Sequence, residues 1–197
     1  MKILKKQPVA IFVALIIMAL ALVYGVNRSV SEQVTAVKDQ FYNGVFDEQA
    51  GFRRAGIHGQ LTQRTTAAMR MLAIGDFSHP DVAELQTAGA ELQSARNEMI
   101  ALLTEGATPS ALFLADQNLT VATQRYFALL HPLVAAAQGE DLEALEAAED
   151  TMQNAARVIS ESGYNEAVGV FNRTVMGGFP MTVLRVIVLV QMPELFA

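Results

Sequence analysis

Three histidines and one acidic run are the residues best suited to chemistry in this 197-residue chain. His58, His79 and His131 would serve as metal ligands or proton carriers if a partner ligand stood three or four residues away on the same helical face. None has one. The Glu-x-x-His pair that dinuclear metal bundles place on facing helices is absent. Glu140, Asp141, Glu143, Glu146, Glu149 and Asp150 gather carboxylates with no base among them. A calcium site needs oxygens converging from a tight loop with a glycine at its turn. Here Glu143, Glu146 and Glu149 or Asp150 line one helical face, which reads as solvated surface. The earliest acids also favour the positive end of a helix. Serines and threonines fall mostly at helix caps and on outer faces, with no Gly-x-Ser-x-Gly turn. Gly177-Gly178 follows a helical stretch, the wrong order for a phosphate loop. The expectation is a protein without enzymatic activity, with no catalytic residue, metal or cofactor.

The elements that would carry these residues start with residues 9–26, VAIFVALIIMALALVYGV, which hold no charge. As a helix this run reaches roughly 27 Å, close to the ~30 Å hydrocarbon thickness of a bilayer. Lys2, Lys5 and Lys6 precede it, Asn27 and Arg28 follow, and Tyr24 sits near its far end as an interfacial ring. The run is read as an uncleaved single-pass anchor in membrane lipid, since the apolar stretch continues past the small pair Ala19 and Ala21 that a signal peptidase would use. Three lysines before the span outweigh Arg28 and Lys38 beyond it, which puts the bulk of the chain outside the cytoplasm, the periplasm of a bacterial inner membrane. There is no cysteine, hence no disulfide framework and no lipid-modified cysteine. All 20 acidic residues lie after the span, so that part is more acidic than the overall charge of −6. Such a domain disfavours nucleic acid as a partner.

Beyond the span the apolar spacing is helical throughout. Val30, Val34, Val37, Phe41 and Val45 form a near-heptad stripe, resumed by Phe52, Ile57, Leu61, Ala68 and Leu72. This predicts a first helix continuous with the anchor. Gly51, Gly56 and Gly59 weaken its middle and suggest close helix–helix approach. Ser78 with Asp81 and Pro80 reads as the start of a second helix, carrying Leu85, Gly89, Leu92, Ala95 and Met99. Thr108 and Pro109 cap a third, carrying Leu112, Ala115, Leu119, Ala122 and Tyr126, with Pro132 kinking or ending it. A fourth begins near Glu140 and is expected to reach about Met176, with Leu145, Ala148, Met152 and Ala155 on its stripe. No strand alternation precedes residue 181. The tail MTVLRVIVLVQM, residues 181–192, is too short for a second span and is expected to fold back on an apolar face of the bundle, with an amphipathic or membrane-dipping tail as the alternative. The fold class is therefore all-α: a transmembrane helix, then an antiparallel up-and-down bundle of four long helices over residues 27–180, then an apolar tail over 181–197.

The stretch YNEAVGVFNRTVMGGFP, residues 164–180, places Asn165 and Asn172 two helical turns apart before Phe179 and Pro180 stop the helix. It closely resembles the C-terminal signature of the LemA family, with a Tyr-Asn, a second Asn one heptad on and a terminal Phe-Pro. FYNGVFDEQAGF, residues 41–52, is similar to that family's first-helix region through Tyr42 and Asn43. Ile57, Leu61, Arg64, His131-Pro132 and VLVQMPELF, residues 188–196, extend the resemblance along the chain. It implies a bacterial single-pass membrane protein with a helical-bundle domain, and no catalytic residue to carry over. Asn43, Asn165 and Asn172 are expected to fix helix register through buried amides, with Tyr42-Asn43 opposite Tyr164-Asn165. The expected function is a membrane-anchored scaffold or adaptor that binds an unidentified protein partner; the alternative is a ligand-sensing bundle that signals through a partner.

Overall fold

A computed structural model describes residues 7–47, 51–53, 55–78, 82–137, 139–178 and 181–197. Phe179 and Pro180 lie outside the described residues, as do His79, Pro80 and Asp81. The chain opens with α1 (Gln7–Asn43). A two-stranded antiparallel ribbon follows, β1 (Phe46–Asp47) with β2 (Phe52–Arg53), pairing Phe46 with Arg53 and Asp47 with Phe52. Four long helices come next: α2 (Ile57–Ser78), α3 (Ala83–Glu105), α4 (Pro109–Ala137) and α5 (Glu140–Ser160). The shorter α6 (Tyr164–Phe171) passes into a π turn over Asn172–Met176, and α7 (Met181–Leu184) into a 3-10 turn over Arg185–Ile187. The fold is an all-α bundle behind one long apolar N-terminal helix. The chain divides into two compact units. One holds Met1–Lys38 and Glu166–Pro193; the other holds Asp39–Asn165 and Glu194–Ala197.

The second unit is the bundle. α2 packs against α3 and α5, and α3 against α4. The stripe residues supply its core: Ile57, Leu61, Ala68, Leu85, Leu92, Met99, Leu112, Leu119, Tyr126, Leu145 and Ala155 are all buried. The Leu, Ile and Met side chains among them, removed from water, contribute roughly 1.5–3 kcal/mol each. The links between helices follow local chemistry. Gly106 takes the left-handed conformation (φ 68°) after α3, and its N–H returns to the Leu102 carbonyl. The Thr108 hydroxyl accepts from the Ala111 amide ahead of Pro109 at the first helical position. α4 runs through Pro132 to Ala137.

Three expectations are corrected. The first long helix is interrupted: Gly44 at φ 80° ends α1, the ribbon turns the chain, and α2 starts afresh at Ile57. The stripe through Val45 and Phe52 misled because apolar spacing continues across a turn that backbone conformation breaks. Of the three glycines, only Gly56 makes a close approach, since a Cβ there would lie 2.2 Å from the Tyr42 carbonyl oxygen. Gly51 serves the ribbon turn at φ 71°, and Gly59 faces open space. The fourth helix also stops early: Gly163 at φ 75° separates α5 from α6. Finally, Ser78 is the last residue of α2 and not the cap of α3, whose N-cap is Val82 with no side-chain bond.

In the first unit, Val30, Val34 and Val37 bury one face of α1, and Val168 and Phe171 are buried in α6. Nearer the N-terminus α1 has no covered face. Every residue over 10–22 is exposed, including Phe12, Leu15, Ile17 and Leu20.

Candidate functional site

Among the described residues no group of three or more His, Asp or Glu side chains is placed to hold a metal ion. His58 packs its ring on Tyr42, centroids 5.0 Å apart. His131 lies beside Phe127 (5.1 Å), with Nε2 3.9 Å from Glu146 Oε1. The two belong to different helices and share no partner. Glu143, Glu146 and Asp150 are exposed on α5, and Glu149 accepts from Gln153 at 2.9 Å. Glu140, Asp141 and Glu143 occupy the first turn of α5, where the helix dipole favours them.

The Tyr-Asn motifs are placed differently from one another. Tyr164 is buried with its ring edge-on to Phe41 at 5.2 Å, and its hydroxyl donates to the Glu194 carbonyl at 2.8 Å. Burial, reinforced by Glu194 and then Tyr42, pushes the Tyr164 hydroxyl up to about 12. Asn165 is not a helix-to-helix amide. Its Nδ2 donates to the Phe196 carbonyl (2.9 Å) and its Oδ1 accepts from the Phe196 amide (2.8 Å). Phe196 is thereby buried against Phe113 and Phe41, at 5.3 and 6.1 Å. Glu194 Oε2 accepts from the Ser110 hydroxyl at the head of α4. Residues 194–197 are thus strapped onto the bundle unit.

Phe41, one residue before the Tyr-Asn pair, is what meets Tyr164. Tyr42 is 47% exposed, and Asn43 donates to Asp39 within its own helix. The expected facing of Tyr42-Asn43 on Tyr164-Asn165 is therefore corrected: a register one residue earlier carries the aromatic to the buried side. Asn172 is exposed at the head of the π turn, where its backbone carbonyl accepts the Gly177 amide. It pins no neighbouring helix.

Two polar features escaped sequence reasoning. Arg64 in α2 is buried with Asp116 in α4, its Nη1 2.5 Å from each carboxylate oxygen, while Nη2 donates to Thr120 Oγ1 at 2.6 Å. Burial lowers the Arg64 pKa and raises that of Asp116, each partly offset by the partner. Arg64 Nε is buried without a hydrogen-bond partner. Spacing singled out Arg64 only through the family resemblance, and nothing local to Asp116 marks it as buried.

The second feature is Asn27. Its Nδ2 donates to the Val23 carbonyl (2.9 Å) and the Ile187 carbonyl (2.8 Å), and its Oδ1 accepts from the Leu189 amide (2.6 Å). The side chain acts as a strand partner for residues 187–189. Beside it, in the same unit, a groove of about 510 Å³ runs between Gly25, Val26 and Val30 on α1 and Thr174, Met181 and Leu184. An amide just past an apolar run is the sole sequence signal for Asn27, since asparagine is a poor residue for a helix interior.

No family model, no curated protein and no solved structure matches this chain.

Proposed function

We propose that this protein is a single-pass, membrane-anchored helical-bundle scaffold or adaptor of the LemA type, non-enzymatic, that binds a partner protein at the bacterial envelope. One observation carries the anchoring. Ala10–Asn43 holds an 18-residue window of mean hydropathy 2.5 with none of it buried. Uncovered apolar surface of this length is costly in water and favourable in hydrocarbon, where a helix satisfies its own backbone. The lysine arm supports an orientation with the bundle on the extracytoplasmic side. The Tyr-Asn and Asn-x6-Phe-Pro residues support the family reading.

The adaptor reading is supported by what the hydrogen-bonded polar side chains do. Asn165, Tyr164 and Asn27 hold backbone, and Arg64 holds Asp116 and Thr120. These are structural assignments, which leaves outer surfaces as the place for binding. Crosslinking in native membranes expressing the full chain tests this: one recurring protein neighbour is the expected result. A copurifying small molecule with no protein captured counts against it. A C-terminal reporter active only in the cytoplasm overturns the orientation.

A further inference from the structure

We infer that residues 181–190 form a second membrane contact, a short apolar element lying in the bilayer surface at the level where α1 leaves the hydrocarbon. This rests on the reading of residues 9–26 as the anchor. Asn27 is the first residue after that apolar run, and it holds both the Ile187 carbonyl and the Leu189 amide. The clasp therefore fixes the depth of the segment to the end of the span. One residue of helix rise is ~1.5 Å, and the headgroup layer on each side of the hydrocarbon is several ångströms thick.

Three large apolar side chains of the segment are exposed. Val186 is 89% exposed, Leu189 83% and Val183 66%. Tyr24, one turn before Asn27, is exposed at the same level, where an amphipathic ring suits the interface. Arg185, the only charge between Met181 and Val190, is exposed; its long stem lets the guanidinium reach headgroups while neighbouring valines lie deeper. The occupant is lipid rather than a protein groove because this surface continues the uncovered apolar surface of α1 within the same compact unit. Contact is through apolar area rather than charge, since the chain past the span is acidic and Arg185 is a single cation. Insertion is therefore insensitive to salt and to the anionic lipid fraction.

The chain has no tryptophan, so single-tryptophan variants of the full chain, reconstituted in phosphatidylcholine vesicles, report position without background. Val186→Trp, Leu15→Trp in the span and Val121→Trp on α4 are compared, with folding checked by circular dichroism. Quenching is read with lipids brominated near the headgroup end of the acyl chains and with aqueous iodide. The expected result is blue-shifted Val186→Trp emission, quenched by shallow bromines and little by iodide, with Val121→Trp the reverse. Quenching of Leu15→Trp but not Val186→Trp overturns this inference and leaves the anchor standing; so does a Val186→Trp shielded from both quenchers. Loss of bromolipid quenching at Leu15→Trp overturns the anchor itself and this inference with it. Equal bromolipid quenching at Val121→Trp overturns the assignment to this one segment.

Discussion

Asparagine and tyrosine side chains here replace the hydrogen-bonding partners that an irregular C-terminal segment lacks. Residues 188–197 contain no helix or strand, so their amides and carbonyls depend on side chains, and Asn27, Tyr164 and Asn165 provide them. Ionisation of Tyr164 removes its donated proton from Glu194. Its folded-state pKa, about 12, lies above the ordinary 10.0. The stabilisation is thus fully present below pH 10 and is lost as pH rises through about 12. At ~1.4 kcal/mol per pKa unit the loss reaches about 3 kcal/mol. Tyr164→Phe lacks both the hydrogen bond and the ionisation: denaturant melts will show it about 1 kcal/mol less stable at neutral pH, with the order of stability reversing above pH 10 because the variant escapes the alkaline loss. The Arg64–Asp116 pair gives a second residue-scale prediction. Arg64→Met alone strands a buried carboxylate and costs about 3–5 kcal/mol, whereas Arg64→Met with Asp116→Leu recovers most of that. Equal melts for the single and double variants would refute the pairing.

At the scale of elements, one ring sits where three helices meet. Tyr126 of α4 sits against Gly75 of α2 and Gly89 of α3: a Cβ on Gly75 would lie 1.8 Å from the Tyr126 hydroxyl, and one on Gly89 3.3 Å from Cε2. The ring cannot retreat from one helix without meeting the other. Gly75→Ala therefore forces a shift costing about 1–3 kcal/mol, and the cost is smaller in a Tyr126→Phe background, a coupling that a double-mutant cycle measures. These elements were unequally legible in the sequence. The cores of α2 to α5 follow from heptad spacing because one face of each helix must be buried. The breaks at Gly44 and Gly163 were hidden, because apolar spacing runs on across both while the interruption lies in backbone φ. The partners of Asn27 and Asn165 were hidden for another reason: each lies far along the chain, and any backbone amide offers the same chemistry. Asn172 shows the opposite failure, where regular spacing from Asn165 suggested a shared buried face and the π turn leaves it exposed.

On the scale of the whole molecule, the chain combines a charge-free helical run at one end with acidic residues confined to the rest. Residues 10–22 of the apolar run are exposed, and the bundle has a closed core of its own. These two facts support the proposed anchoring. The direct test is alkaline carbonate extraction of membranes from cells expressing the full-length chain, with the extracted and retained fractions sized by mass spectrometry. The account predicts that the protein stays with the membrane at its full mass and is released by detergent alone. Full-length protein in the carbonate supernatant, or a retained form lacking residues 9–26, would contradict it.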